Sequence, residues 1–378
     1  MATCNFFYHN ENIQKHRGEI PKYKIDSGTF HTVILTDKNE LLVCGINWTG
    51  ALGIREEKDH SSIKPQLKCI NVSISHILHK SEYIKRIAAG NKHTIVLTSK
   101  NRILTCGENE MGQLGIATQS KSKFRKDCFF KFTDVFLPLH EREEIEQIGA
   151  GDSHTVLLTS KNRVLMSGVN NYNRFGFDLK ASQNKFIESP LPILYEEEKI
   201  LQLFVGKCST MLVTSNNRLL VNGMNNHGQL GLGHTNFQLE FTESSLSVLF
   251  EKEKIQQIAA ARDQTVLLTS KNRVLVSGYN NDGRLGLGNT NDQTKFSEVL
   301  LSDILSVGEK VEQIATGEDY IILLTKKRVL MCGRNEFGQL GLGYKKKQVT
   351  FTPSSLKTSY HEPIKQEQLS TITTCLLM

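Results

Sequence analysis

The sequence has no long apolar run. Among its 378 residues, no stretch approaches the 18 consecutive apolar residues typical of a membrane-spanning helix. The first residues, MATCNFFYHNENIQK, have neither the basic start nor the apolar run of a secretory signal. We therefore expect a globular protein without a membrane helix.

Motifs for covalent chemistry are also missing. The chain contains no G-x-x-x-x-G-K-[ST], no H-E-x-x-H and no G-x-S-x-G, and its eight cysteines form no C-x-x-C pair. The sequence thus predicts neither an enzyme nor a cofactor or metal site. Its net charge of +7 is scattered along the chain, so nucleic acid is not expected as the main partner.

A repeat dominates the chain. Six similar segments have second residues at positions 28, 90, 151, 206, 261 and 317, which are 62, 61, 55, 55 and 56 residues apart. The segments are SGTFHTVILT (27–36), AGNKHTIVLT (89–98), AGDSHTVLLT (150–159), VGKCSTMLVT (205–214), AARDQTVLLT (260–269) and TGEDYIILLT (316–325). A regular period of this length indicates stacked structural units.

Each unit is predicted to be a small β-sheet. Runs such as TVLLT are short and wholly apolar, which is typical of strands buried on both faces. The linkers Ser160–Arg163 and Ser270–Arg273 suit hairpin turns with Asn at positive φ. Because both faces of a propeller blade pack on neighbouring blades, the pattern predicts an all-β propeller.

One slot of the repeat accepts only small side chains. Cys44, Cys106 and Cys332 occupy it in three copies, and Ser167, Asn222 and Ser277 fill it in the others. A position that accepts Cys, Ser or Asn is not expected to be a metal ligand or half of a disulfide.

The combined pattern G-x-x-H-T-V-x-L-T and L-x-x-C-G-x-N-x-x-G-Q-L-G resembles the regulator-of-chromosome-condensation repeat, over roughly residues 20–345. The resemblance implies a single propeller domain, 1–378, of seven four-stranded blades closed by the chain ends. Repeats are expected near 20–84, 85–145, 146–199, 200–255, 256–311 and 312–360. MATCN (1–5) resembles ILTCG (103–107), and STITTCLLM (370–378) resembles GDSHTVLLT (151–159), so a seventh blade split between the termini is expected.

Two residues separate the glycine of each segment from its histidine position. The recurring His31, His93 and His154 are expected to connect neighbouring blades rather than to form a site. The varied pairs before that position are expected to gather at one rim and to recognise a partner.

The resemblance implies that this rim drives nucleotide exchange on the small GTPase Ran, and Asp152 matches the family's exchange-active aspartate. Lys207 and Cys208 depart from the amide and the acid that the family has there. The candidate GTPase contacts are Asp152, Asn91, Lys92, Asp263, Glu318 and Asp319. The alternatives are that Asp152 only caps a turn, and that a monomeric propeller serves as a non-exchanging scaffold for protein or chromatin binding.

The last four residues, Cys375-Leu-Leu-Met, match a C-a-a-X box and predict a farnesyl group on Cys375. The segment 361–378 equally fits a closing strand. The combination of this C-terminal box with these repeats resembles effector proteins that intracellular bacterial pathogens deliver into host cells to activate Ran. We therefore expect an intracellular protein, either cytosolic or membrane-associated, and located in a host cell if it is such an effector.

Overall fold

The computed structural model describes residues 24–54, 65–117, 127–169, 182–192 and 194–357, and these residues form six four-stranded antiparallel sheets. They divide into two compact units that meet in the chain after Leu194. Within the described ranges, no helix is long and apolar enough to cross a membrane.

The first unit contains three sheets, each with its strands in chain order. The strands are β1 (Lys24–Ser27), β2 (His31–Leu35), β3 (Leu41–Gly45), β4 (Gln66–Asn71), β5 (Ile84–Ala89), β6 (His93–Thr98), β7 (Ile103–Glu108), β8 (Cys128–Val135), β9 (Ile145–Ala150), β10 (His154–Thr159), β11 (Val164–Gly168) and β12 (Gln183–Ser189).

The second unit repeats this plan with three more sheets. The strands are β13 (Ile200–Val205), β14 (Ser209–Thr214), β15 (Leu219–Gly223), β16 (Gln238–Ser244), β17 (Ile255–Ala260), β18 (Gln264–Thr269), β19 (Val274–Gly278), β20 (Gln293–Val299), β21 (Val311–Thr316), β22 (Tyr320–Thr325), β23 (Arg328–Gly333) and β24 (Gln348–Lys357).

The second strand of each sheet carries the apolar run seen in the sequence. Every residue of β6, β10, β14 and β18 is buried, which confirms strands covered on both faces. The six readable repeats are thus six blades of an all-β propeller. The expected seventh blade falls on residues 1–23 and 358–378, outside the described residues, and it stays a prediction.

Asparagines in the hairpins join one sheet to the next. Asn39, Asn101, Asn162, Asn217 and Asn272 all have φ between 59° and 63°, which confirms the positive φ predicted for the S-K-N-R turns. The Asn101 amide group donates to the Glu143 carbonyl at 3.0 Å and accepts from the Ile145 N–H at 2.6 Å. The turn residue therefore fixes where the next sheet begins.

A buried ion pair connects all four strands of a sheet. Glu143, just before β9, accepts hydrogen bonds from Thr159 at the end of β10 and from Arg163 before β11. Arg163 also pairs with Glu188 on β12 at 2.8 Å. Burial alone would raise the pKa of Glu143, but bonds from the His140 amide, Thr159 and Arg163 hold that pKa below its usual value. The equivalent pairs are Glu82–Arg102, Glu198–Arg218, Glu253–Arg273 and Glu309–Arg328.

Removing one member of this pair should destabilise the sheet. In Arg163→Met the Glu143 side chain, 0% exposed, would lose its cation, and we expect about 3 kcal/mol less unfolding free energy. Urea unfolding measures the loss. Arg142→Met is the control, because Arg142 is 91% exposed and should have little effect. Equal effects of the two substitutions would contradict the assigned role.

Two of the three repeated histidines, His31 and His93, join neighbouring sheets, as the sequence indicates. The Nε2 atoms of His31 and His93 lie 2.9 Å and 3.1 Å from the hydroxyls of Thr94 and Thr155 in the next sheet. Both hydroxyls already donate to backbone carbonyls, at 2.6 Å in each case, so the histidine Nε2–H must donate to the threonine oxygen. Burial lowers the pKa of His31 to about 4 and that of His93 to about 3, so both rings are neutral near pH 7.

A neutral buried His93 predicts acid sensitivity. Below pH 6.5 the unfolded chain binds a proton that the native ring refuses until about pH 3, so stability falls as the pH falls through this window. At pH 5 this linkage costs about 2 kcal/mol relative to pH 8, and His93→Gln should abolish it.

Glutamine is a suitable replacement because Gln264 fills the same repeat position and donates to the Gly317 carbonyl at 3.2 Å. Urea unfolding of both proteins at pH 8 and pH 5 makes the comparison. Burial raises the pKa of Asp26 to about 7, but Asp26 contributes an opposite slope to both proteins and cancels. Identical pH dependence of the two proteins would show that His93 is not held neutral.

Candidate functional site

The residues between the first and second strands of each sheet, here called the tip loops, lie at one end of the sheets. Within each unit the first strands of successive sheets lie side by side, with β5 between β1 and β9, and β17 between β13 and β21. A Cβ on Gly28 would lie 2.0 Å from the Gly90 carbonyl oxygen, and a Cβ on Gly90 would lie 2.6 Å from that of Gly151. Glycine is therefore required where successive tip loops approach each other.

The loops between the third and fourth strands hold the neighbouring tips in place. Thr49 donates to the Lys92 carbonyl at 3.1 Å, Gln229 to that of Arg262 at 3.1 Å, and Arg284 to that of Glu318 at 2.9 Å. The tip backbones are therefore fixed by repeated contacts, while their side chains differ from sheet to sheet. This separation suits a recognition surface.

In the first unit, three predicted contacts lie on adjacent tips. The Asn91 N–H donates to the Gly151 carbonyl at 3.1 Å, which places Asn91 beside the half-buried Asp152. Lys92 is 40% exposed and pairs with Glu108 at 3.0 Å. The structure thus brings Asn91, Lys92 and Asp152 together.

An aromatic pair at the same end was not predicted from the sequence. Trp48 is 44% exposed, and its ring centroid lies 6.1 Å from that of Phe30, a tip residue. A partly exposed tryptophan is a frequent anchor in protein interfaces. The available signal was that this lone tryptophan falls in a glycine loop of the repeat, next to Thr49.

In the second unit, an ion pair spans two sheets. Lys207, on the tip of the first sheet of this unit, lies 2.7 Å from Glu318 on the tip of the third. The Lys207 side chain is only 10% exposed. Lys207, identified in the sequence as a departure from the family pattern, therefore neutralises one of the predicted contact acids.

Asp263 and Asp319, the other two predicted contact acids of this unit, lie near an arginine that was not predicted from the sequence. Arg284 is 3% exposed and lies 2.8 Å from Asp319 and 2.9 Å from Asp282. It replaces the glutamine of the G-Q-L-G motif, which was the available signal. Burial raises the pKa of the nearby Asp263, while the charges of His227, Arg262 and Arg284 act to lower it. The structure thus brings Asp263, Glu318 and Asp319 into one network of charges.

The described residues offer no metal site, since no three His, Cys, Asp or Glu side chains within them form a cluster. Cys44, Cys106 and Cys332 are free and buried, as their small slot predicts. Cys375 lies outside the described residues.

The pairing of Lys207 with Glu318 can be tested by charge reversal. Lys207→Glu places two acids together in a half-buried site and should destabilise the protein, and Glu318→Lys in the same chain should restore part of the loss. We expect a coupling energy of about 1–2 kcal/mol from the double-mutant cycle, measured by urea unfolding.

Lys92 and Glu108 provide the matched control cycle. Because Lys92 is 40% exposed, the coupling of that pair should be smaller. Additive effects at Lys207 and Glu318 would exclude a contact between them.

Comparison with known proteins places these features in a family. The model of the RCC1-like domain matches residues 71–375. Mouse X-linked retinitis pigmentosa GTPase regulator is 29% identical over 354 residues, which cover 81% of this chain and 33% of that protein. Mouse secretion-regulating guanine nucleotide exchange factor is 35% identical over 136 residues, which cover 36% of this chain and 28% of that protein. The chain thus spans about a third or less of the length of these relatives.

Solved structures show the same fold at low identity. Yeast RCC1 (Prp20) bound to Kap60 superposes with a TM-score of 0.72 at 17% identity, covering 88% of this chain and 75% of that one. A second structure of Prp20p from Saccharomyces cerevisiae, described with its binding properties to Gsp1p and histones, gives 0.71 at 18% identity, covering 88% and 77%. Since the family model covers most of the sequence, this chain belongs to the RCC1-like domain family.

Proposed function

We propose that the chain binds a small GTPase of the Ran class through its tip loops and accelerates release of the bound guanine nucleotide. The observation that carries the proposal is the construction of the tips. Repeated contacts fix their backbones, and their non-repeating side chains, with Asp152 beside Asn91, remain to recognise a partner. The names of two relatives, a GTPase regulator and a nucleotide exchange factor, support the same class of partner.

The mechanism is a shift of populations and requires no bond chemistry in the propeller. An exchange factor accelerates release when it binds the nucleotide-free GTPase more tightly than the loaded form. The phosphates of the loaded form are held by a P-loop lysine. The Asp152 carboxylate would take over that lysine when the nucleotide leaves, which favours the nucleotide-free complex.

Two of the predicted contact acids of the second unit, Glu318 and Asp319, have a different role in this proposal. Glu318 is paired with Lys207, and Asp319 with Arg284, so neither carboxylate is available to a partner without breaking an internal ion pair. Asp152 on the first unit is the residue to which we assign the exchange step, because it matches the family's exchange-active aspartate and lies beside Asn91 of the adjacent tip. The second unit would contribute shape and its exposed Arg262.

Release of a fluorescent GDP analogue from Ran tests this proposal. We expect the wild-type chain to accelerate release, and Asp152→Ala to reduce that acceleration by about 30-fold or more, because removing one partner of a desolvated charge pair usually costs about 2 kcal/mol or more. The control is Asp37→Ala. Asp37 is an exposed acid in the β2–β3 hairpin, at the opposite end of the same unit, and its loss should leave release unchanged.

The outcomes separate the proposed function from its alternative. If the wild-type chain binds Ran without accelerating release, exchange is excluded and the chain is a scaffold. If it neither binds Ran nor accelerates release, the proposal fails. Equal losses in Asp152→Ala and Asp37→Ala would show that the tip acid has no special role.

We also propose the farnesyl group at Cys375 as a means of bringing this activity to a membrane. One prenyl chain anchors only marginally, so basic surface residues would have to assist it. Host-cell delivery as a bacterial effector is likewise a proposal that rests on the C-terminal box and the repeats.

A further inference from the structure

The small side chain near the end of each third strand normally connects its sheet to the preceding one. In four copies it donates a hydrogen bond to a backbone carbonyl in the glycine loop of that preceding sheet. These bonds are Cys106 to Ala51 at 3.6 Å, Ser167 to Gln113 at 3.4 Å, Ser277 to Gln229 at 3.2 Å and Cys332 to Arg284 at 3.2 Å. A thiol and a hydroxyl serve equally well in this role, which explains why the position accepts both.

Cys44 fills this position in the first sheet, and there it meets a second thiol. Val43 of β3 pairs with Ile70 of β4, and the next residue along each strand is Cys44 on β3 and Cys69 on β4. The register shifts just beyond this point, and a hydrogen bond joins the two thiols. Opposite residues of an antiparallel pair have Cα atoms about 4.5–5.5 Å apart. A disulfide requires about 4.4–6.8 Å, so this site is suited to one.

The second thiol is specific to the first sheet. At the position of Cys69, the fourth strands of the other five sheets carry a buried phenylalanine: Phe132, Phe186, Phe241, Phe296 and Phe351. No residue of β4 is buried, and Cys69 itself is half-buried. Cys44 is only 6% exposed. A small solute therefore reaches Cys69 before it reaches Cys44.

The hydrogen bond makes the two sulfur atoms chemically unequal. The Cys44 thiol donates to the Cys69 sulfur, and this bond lowers the pKa of Cys69 although burial acts to raise it. The same bond, together with burial, raises the pKa of Cys44. The thiolate is the form of cysteine that oxidants attack. Exposure and charge thus agree that Cys69 is the reactive thiol and Cys44 its resolving neighbour.

We propose that Cys44 and Cys69 form an oxidation site that hydroperoxides convert reversibly into a disulfide. The Cys69 thiolate attacks one oxygen of hydrogen peroxide, the O–O bond breaks, and Cys69 becomes a sulfenic acid. The departing hydroxide takes up the proton that Cys69 lost on ionisation and becomes water.

The second step closes the disulfide. The Cys44 sulfur attacks the Cys69 sulfur, the S–O bond breaks, and the leaving hydroxide takes the Cys44 proton to form a second water molecule. The two thiols lose two electrons and two protons in total, and one hydrogen peroxide is reduced to two water molecules. A dithiol reductant reverses the change.

Peroxide titration of the native chain tests the proposal. The remaining thiols are alkylated after unfolding, and peptides are mapped without reduction. We expect the peptides of Cys44 and Cys69 to be linked, and dithiothreitol to separate them. Cys106 and Cys332 are the internal controls, because they occupy the slot of Cys44 without a thiol partner and burial raises the pKa of each. They should remain reduced at the peroxide concentration that links the pair.

Single variants separate the two steps. Serine fills the same slot as Ser167 and Ser277, so Cys44→Ser should fold normally. In this variant Cys69 should stop at the sulfenic acid, which dimedone traps for mass spectrometry. Cys69→Ser should give no sulfenic acid at Cys44, because Cys44 is buried and its thiol is not ionised.

Urea unfolding provides a second readout. Oxidation of the wild-type chain should shift its unfolding midpoint to higher urea, because the disulfide closes a loop in the unfolded state. Cys44→Ser treated with the same peroxide should show no such shift. An equal shift in the two proteins would contradict the proposal.

The peptide maps can also overturn the proposal. It fails if Cys44 and Cys69 are not linked, if Cys69 links to another cysteine in place of Cys44, or if Cys106 and Cys332 are oxidised as readily as Cys69. Dimedone labelling of Cys44 in Cys69→Ser would reverse the assigned roles and overturn it as well. None of these measurements involves the GTPase, so the exchange proposal can fail while this one holds.

Discussion

The structure depends on one contact between successive sheets, the packing of a tip glycine against a buried ring of its own sheet and against the backbone of the next tip. A Cβ on Gly90 would lie 2.1 Å from the His93 ring and 2.6 Å from the Gly151 carbonyl oxygen. His93 in turn reaches Thr155 across the gap between the sheets. The G-x-x-H-T pattern is therefore a single packing unit, and the two positions between its glycine and its histidine are left for recognition.

Variation within the chain supports this interpretation. Where the fifth repeat has Gln264 in place of the ring, Ala261 occupies the tip-glycine position, whereas the fourth repeat has Ser209 in place of the ring and keeps Gly206. Where the sixth repeat keeps a ring, as Tyr320, it also keeps Gly317, and a Cβ there would lie 2.3 Å from the ring. The repeated residues thus serve the assembly of sheets, and function is left to the residues that do not repeat.

The sequence predicts the features that recur from repeat to repeat, and it does not reveal contacts that occur once or that depend on the folded structure. Six sheets, the hairpin asparagines and the connecting role of the histidines could all be predicted, because six copies show which positions are constant. The Glu143–Arg163 pairs are also repeated, but the partners lie 20 residues apart and their contact requires the fold. The pairing of Lys207 with Glu318, 111 residues apart, occurs once, so no periodic signal could reveal it. The same holds for Arg284, whose role depends on the acids around it.

The central claim is that recognition takes place at the tip loops and not at the hairpins on the opposite end of the sheets. Hydrogen–deuterium exchange of the chain with and without nucleotide-free Ran tests it most directly. The account predicts slower exchange of backbone amides in the tip segments 90–93 and 151–154, and no change in the hairpins 36–40 and 98–102. Protection confined to the hairpins, or no protection at either end, would contradict it.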